Sequence, residues 1–203
     1  MKFPFGRKDK LYEINSSLLK ISAEIIKADN YNAHSEDFYI LSVINRAISL
    51  NKAFLLLLRK KNSLTAISIV RLQLDNVLRL NAIKIVSNRK DFLNHFFDGK
   101  PINKYKDGAE KFTDNFLAVQ LDKENPGTLD LYNFLCDFIH FSERHFEATK
   151  TKPKNENATF RVVVGNSNIL NNEEKNIYKD NMINISNTIL KISKEWANTK
   201  NII

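Results

Sequence analysis

Three charged residues at regular spacing lie within a helical stretch that is otherwise apolar almost all round, where they could bind an anion. Arg71, Asp75 and Arg79 follow one another at intervals of four residues, which places them on one face of an α-helix. Apolar side chains occupy almost every other direction, a pattern typical of a helix in the middle of a bundle. The polar arc is therefore either the solvent face of this helix or the lining of an interior cleft. We favour the cleft, in which Asp75 would hold Arg71, because a buried guanidinium without a partner is costly.

A second pair of polar residues lies on a later, aromatic-rich stretch. Asp137 and His140 are three residues apart and would share a helix face. A carboxylate beside an imidazole can raise the pKa of the ring, fix its tautomer or supply two metal ligands. Two ligands do not make a metal site, so the sequence predicts no bound metal. The alternative for His140 is a structural role near the end of its helix, where a positive ring is favoured.

We expect Arg71 and His140 to converge inside the protein as one polar centre. The centre would either bind a small anionic ligand or fix the bundle. The candidate ligand-binding residues are Arg71, Asp75, Arg79 and His140, and the candidates for any catalytic role are Arg71, Asp75, Asp137 and His140.

Several functional classes are excluded by residue type and spacing. The five glycines are too far apart to form the glycine-rich loop that binds nucleotide phosphates. The single cysteine, Cys136, cannot form an internal disulfide or a cysteine zinc cage. Its apolar neighbours favour a core thiol over a nucleophile. The sequence accordingly predicts no cofactor.

Charge and hydropathy suggest partners and a compartment. The formal net charge is +8, so RNA or another anionic ligand is a candidate partner. The basic residues are dispersed, however, which is equally typical of solvated lysine-rich helices. The most apolar run, 53–58, has six residues, whereas a bilayer requires about 20. We therefore predict a cytoplasmic protein that does not enter a membrane, with 54–58 as a candidate face for a homodimer.

Helical periodicity dominates the elements that must position these residues. Between 10 and 27, for example, apolar residues recur three and four positions apart, as in an amphipathic helix. Residues 145–151 and 159–164 read as extended segments, forming a small β-hairpin or a loop. The sequence predicts one domain over 1–203, an all-α antiparallel bundle of about six or seven helices. The predicted helices are 10–27, 35–61, 63–87, 91–97, 109–121, 128–139 and 171–199.

Two stretches of the chain resemble a loose group of uncharacterised bacterial all-helical proteins. Arg71 is followed four residues later by Asp75, and a later helix runs from Tyr132 through Asp137 and Phe138 to His140. The resemblance implies a helical fold with a polar centre. It further implies a regulatory or ligand- or partner-binding domain in a bacterial or phage-related context, and no particular reaction.

A more distant resemblance is to HEPN-type helical proteins. Arg89 and His95 have the spacing of their Arg-to-His signature. This resemblance implies a metal-independent ribonuclease toxin or phage-defence effector, in which His95 would act as acid and base and Arg89 would stabilise the phosphorane charge. A non-specific nucleic-acid-binding module is the remaining alternative.

Overall fold

Helices form most of the structure, a computed structural model that describes residues 9–140, 142–151, 159–165 and 167–200. Two short 3-10 turns, Asp29–Tyr31 and Ile102–Lys104, interrupt the connections. The eight α-helices within these ranges are α1 (Lys10–Lys27), α2 (Ser35–Arg59), α3 (Ser63–Ile85), α4 (Arg89–Phe97), α5 (Asp114–Asp122), α6 (Thr128–Ile139), α7 (Glu143–Thr149) and α8 (Asn172–Lys200). The predicted fold class, an all-α bundle with a small hairpin, is confirmed.

Helix α3 lies at the centre of the bundle. It packs against α2 and α8 on one side and against α5 and α6 on the other, while α1 packs against α8 and α2. Leu74 and Leu78 of α3 are buried in one continuous apolar core with Leu18 and Phe54. Because only three residues separate α2 from α3, the two helices run antiparallel. The central position that the all-round apolar pattern predicts for α3 is thus observed.

Local side-chain caps explain where several helices begin. The side chain of Asp9 accepts a hydrogen bond from the Leu11 amide at the start of α1, and Asn62 caps α3 through the Thr65 amide. Thr113 accepts from the Phe116 amide and so starts α5 at Asp114. Each cap satisfies an amide that has no partner within the first turn of a helix.

The segment before α5 differs from the sequence prediction of a helix over 109–121. Strand β1 (Lys106–Asp107) pairs antiparallel with β2 (Glu110–Lys111), and Gly108 in the intervening turn has a φ of 61°. This left-handed conformation favours glycine and prevents a helix from continuing through the turn. Buried aromatic rings hold the hairpin against α4, with the ring centroids of Phe92 and Tyr105 5.2 Å apart.

The second hairpin is shorter than the sequence predicts. Strand β3 (Lys150–Thr151) pairs antiparallel with β4 (Arg161–Val162), which is a hairpin within the predicted 145–164. The expectation that 145–149 is extended is wrong, because these residues belong to α7. Glu143 in the first turn of α7 suits the positive end of a helix. Residues 152–158, which connect the two strands, lie outside the described residues.

Helix α2 carries the most apolar stretch of the chain, and most of that stretch is core. Phe54 and Leu55 are buried, while Leu56 is 50% exposed. Of the candidate dimer face 54–58, Leu56 is thus exposed and Leu57 and Leu58 are half-buried. Length and composition alone would allow α2 to cross a membrane, although 44% of its 18-residue apolar window is buried inside the protein. Core helices of soluble proteins meet the same criterion.

Candidate functional site

The polar arc of α3 faces two other helices, and it is not a solvent face. The side chain of Arg71 is 8% exposed and that of Asp75 is 24% exposed, while Arg79 is 19% exposed. Helices α5 and α6 pack over this side of α3. The arrangement corresponds to the interior cleft that the sequence favours.

Two ion pairs and a bridging carboxylate organise the cleft. Arg71 Nη1 lies 2.5 Å from Asp75 Oδ1 on the same helix. Arg79 Nη2 pairs with Asp114 Oδ1, and Arg71 Nη2 lies 4.0 Å from the other oxygen of Asp114. Because Thr113 caps α5, Asp114 occupies the first helical position, where a negative charge is favoured. We call Arg71, Asp75, Arg79 and Asp114 the charged cluster.

Helix α6 closes the cluster with Tyr132 and Cys136, which lie one turn apart. The Arg71 Cζ atom sits 4.6 Å from the centroid of the Tyr132 ring, a cation–π geometry. Burial lowers the pKa of Arg71, but its interactions with Asp75 and Cys136 outweigh burial and raise that pKa above its usual value. Burial raises the pKa of Tyr132, and its hydrogen bond with Cys136 raises it further. Arg71 is therefore permanently charged and Tyr132 neutral at physiological pH.

The charged cluster leaves hydrogen-bonding atoms unpaired. Within the described part of the chain, Arg71 Nε, Arg71 Nη1 and Arg79 Nη1 are buried without a hydrogen-bond partner, as is Asp75 Oδ1. The short contact between Arg71 Nη1 and Asp75 Oδ1 is thus an ion pair without hydrogen-bond alignment. Buried donors are normally paired, so these guanidinium groups can donate hydrogen bonds to a further partner.

An open groove of about 390 Å³ begins at Arg79. We call it the Arg79 groove. Lys100 at its edge bonds Asp98 at 2.9 Å, but both side chains are 59% exposed, and exposed ion pairs are weak. Lys100 can therefore turn towards an anion in the groove. The lining residues are Arg79, Phe96, Gly99, Lys100, Pro101, Ile102 and Asn103.

The structure does not bring His140 into the charged cluster. His140 is the C-cap of α6, and its side chain is exposed. On α6, Tyr132 and Cys136 are the residues that approach Arg71. His140 follows Cys136 by one turn, at the point where the helix ends. Asp137 is half-buried and lines a separate groove of about 500 Å³ with Ser142, Glu143 and Glu147. Arg71, Asp75 and Arg79 are thus the sequence-derived candidates that meet.

The two side chains of the candidate ribonuclease pair also lie apart in the structure. Arg89 and His95 occupy α4 six residues apart, which corresponds to about 9 Å along a helix. The Arg89 guanidinium lies over the Trp196 ring at 5.5 Å. A ring nitrogen of His95 lies 2.9 Å from the carbonyl oxygen of Pro101. Each side chain is therefore engaged with a different part of the protein.

Asp114 is the functional candidate that sequence reasoning missed. It is 35 residues from Arg79 in the chain, and no spacing rule links such distant positions. The available signal was local, since a threonine before an aspartate is a common start of a helix. Among the described residues, no group of three or more His, Cys, Asp and Glu side chains could hold a metal ion. Comparison with protein-family models, curated proteins and solved structures finds no match for this chain.

Proposed function

We propose that this protein is a regulatory helical domain, without a reaction of its own, that binds a small anionic ligand in the Arg79 groove. The ligand class is a phosphate- or carboxylate-bearing molecule of small size. The observation that carries this proposal is that Arg79, which has a buried nitrogen without a hydrogen-bond partner, lines an open groove. A planar guanidinium with free donors is well suited to phosphate and carboxylate oxygens.

The surroundings of Arg79 support the same ligand class. Lys100 and Asn103 line the groove with Arg79, and their side chains can donate further hydrogen bonds to an anion. Phe96 and Ile102 provide apolar surface in the same groove. A few polar groups on an otherwise apolar lining are typical of small-molecule sites.

The rest of the charged cluster would position Arg79. Asp114 pairs with Nη2 of Arg79 and so orients the guanidinium, while Arg71 lies 4.0 Å from the same carboxylate. Asp75 in turn neutralises Arg71. The two pairs balance their charge, so an incoming anion needs the additional cation that Lys100 supplies.

Thermal unfolding with inorganic phosphate or citrate tests this proposal. At a ligand concentration of about ten times the Kd, binding to the folded state adds about 1.4 kcal/mol. For a domain of this size, such a gain raises Tm by about 3–5 °C. Lys100→Ala should abolish most of the increase with an unchanged Tm in the absence of ligand, because Lys100 is exposed. The matched control is Lys52→Ala, which removes the same charge from an exposed position of α2.

Two outcomes would contradict the proposal. The first is that neither anion raises Tm. The same holds if Lys100→Ala and Lys52→Ala reduce the ligand-induced rise in Tm equally, since the lysine charge would then act non-specifically. The second is cleavage of a single-stranded RNA by the purified protein, lost in His95→Ala, which would support the ribonuclease hypothesis. RNA binding that weakens steeply with salt, without cleavage, would favour the nucleic-acid-binding module.

A further inference from the structure

Helix α1 carries a second apolar stripe on the side away from the core. The buried apolar side chains of its inner face are Leu11, Ile14, Leu18, Ile21 and Ile25. On the opposite side, Tyr12 is 42%, Leu19 is 61% and Ile26 is 47% exposed. These three side chains are spaced seven residues apart, with the small exposed residues Ser16 and Ala23 between them. We call Tyr12, Ser16, Leu19, Ala23 and Ile26 the α1 stripe.

The alternation of four and three residues along the α1 stripe is the spacing of a coiled-coil seam. On a wheel of 100° per residue the five side chains fall within an arc of about 80°. The large side chains alternate with small ones, so a facing helix could insert its large residues opposite Ser16 and Ala23. Single exposed apolar residues are ordinary, but a continuous stripe with this period indicates a helix-packing surface.

Helix α2 extends the same surface. The Arg59 guanidinium donates a hydrogen bond to Tyr12 Oη at 3.3 Å, which places the end of α2 beside the start of the α1 stripe. Leu56, one turn before Arg59, is 50% exposed. This leucine therefore adds apolar surface near the Tyr12 end of the α1 stripe.

The charges along one edge of the stripe distinguish between the orientations of a partner helix. Glu13, Lys20 and Lys27 border the stripe on its solvent side, again seven residues apart. If a second copy packs antiparallel about a two-fold axis near Leu19, Glu13 of each copy faces Lys27 of the other. A parallel arrangement would instead place Glu13 opposite Glu13. The charge pattern thus favours an antiparallel pair of identical helices.

We propose that the protein forms a homodimer through the α1 stripe, with the α1 helices of two copies packed antiparallel. An 18-residue helix is about 27 Å long. One helix from each copy, with Leu56 at the edge, gives an interface at or below the standard size of about 800 Å² per partner. The dimer is therefore weak, with a Kd on the order of 10–100 μM. The two Lys20 side chains meet near the axis, where Glu24 one turn away can reach them.

Sedimentation velocity of the full chain over a concentration series tests the dimer. The wild type should shift from monomer to dimer at about 10–100 μM. Leu19→Lys should raise the Kd more than tenfold while leaving the circular dichroism spectrum and Tm unchanged, because the side chain is already largely exposed. Ile177→Lys on α8, where the isoleucine is 54% exposed, is the matched control and should dimerise like the wild type.

A charge swap tests the antiparallel orientation. Glu13→Lys and Lys27→Glu should each raise the Kd by about tenfold, because each places like charges opposite one another twice per dimer. The double variant Glu13→Lys/Lys27→Glu should recover most of the wild-type affinity. A monomeric wild type at 100 μM overturns the proposal and leaves the stripe to a different partner. A dimer that survives Leu19→Lys, or single variants that the swap does not rescue, overturns it as well.

Discussion

Helix α3 presents polar side chains towards both halves of the bundle, and one set is neutral whereas the other is charged. Towards α1, α2 and α8 it presents neutral amides. Gln73 Nε2 donates to Asn51 Oδ1 at 3.1 Å and to the Ser186 hydroxyl at 3.2 Å, and Asn51 donates to Asn15 at 2.8 Å. We call Asn15, Asn51, Gln73, Asn76 and Ser186 the amide network. Towards α5 and α6, the same helix presents the charged cluster.

The two sets differ in burial and in how well their atoms are paired. Every member of the amide network is at most 5% exposed, and among the described residues only Asn15 Nδ2 of this network lacks a partner. The charged cluster is more exposed and keeps three guanidinium nitrogens without a hydrogen bond. A satisfied buried network specifies how helices pack, whereas unpaired donors beside a groove can bind a ligand. For this reason we assign a binding role to the charged cluster alone.

A third polar site, the Asp37–Lys200 pair, shows whether charge or unpaired atoms distinguish a binding site from a structural one. Lys200 Nζ bonds Asp37 Oδ2 at 2.6 Å, with side chains 5% and 1% exposed. Trp196 Nε1 also donates to Asp37, at 2.8 Å. This pair is charged like the charged cluster but buried and satisfied like the amide network. If pairing and burial decide the role of a polar site, the Asp37–Lys200 pair should be structural.

The largest expected effect is the loss of stability on Asp37→Asn. The substitution leaves the Lys200 ammonium buried without its carboxylate, which costs about 3 kcal/mol of unfolding free energy at pH 7. Urea unfolding measures this loss. The matched control is Asp180→Asn on the exposed surface of α8, which should change stability by less than about 0.5 kcal/mol.

The same pair predicts part of the pH dependence of stability. Burial raises the pKa of Asp37, but hydrogen bonds from the His34 amide, Lys200 and Trp196 outweigh burial, so the pKa falls below its ordinary value of 3.8. The stabilisation by ionised Asp37 is therefore complete above pH 3.8 and is lost as the pH falls through the lower folded-state value. Asp37→Asn should remove this component of acid destabilisation. Identical pH profiles of wild type and variant would contradict the assignment.

A somewhat smaller loss of unfolding free energy is expected when Asn51→Leu disrupts the amide network. Leucine has a similar volume, but Gln73, Ser186 and Asn15 then lose a shared partner and remain buried. Leaving such groups unsatisfied costs about 2–3 kcal/mol in total, measured by urea unfolding. Asn45→Leu, on the exposed side of α2, is the control. Equal stability of the two variants would show that the network does not hold the bundle together.

Local signals explain which parts of the fold could be predicted. The bounds of α1, α3 and α8 differ from prediction by at most two residues, because apolar periodicity lies within each helix and a capping residue stands directly before it. The first hairpin was missed, since its strands are two residues long and show no alternation. Helix α7 was missed because seven residues are too few for a helical period to be distinguished from an extended segment.

The candidate site was predictable only where its residues share a helix. Arg71, Asp75 and Arg79 are found together because a spacing of four residues fixes their relative positions. Asp114 and Lys200 were not found, since each meets its partner through tertiary packing, Lys200 across 163 residues of chain. His140 shows the converse. Its spacing from Asp137 suggested that it would enter the polar centre, but α6 ends there and the side chain is exposed.

The smallest of the three stability effects is expected within the charged cluster, from Arg71→Met. The substitution removes the partner of Asp75 and the cation–π contact with Tyr132, yet Asp75 is 24% exposed and water can solvate its carboxylate. We therefore expect a loss of about 1–2 kcal/mol in urea unfolding, with most of it recovered in Arg71→Met/Asp75→Leu. A loss as large as that of Asp37→Asn would mean that the cluster is a structural ion-pair network. A small loss means that its charge contributes little to folding, as expected for groups placed to bind a ligand.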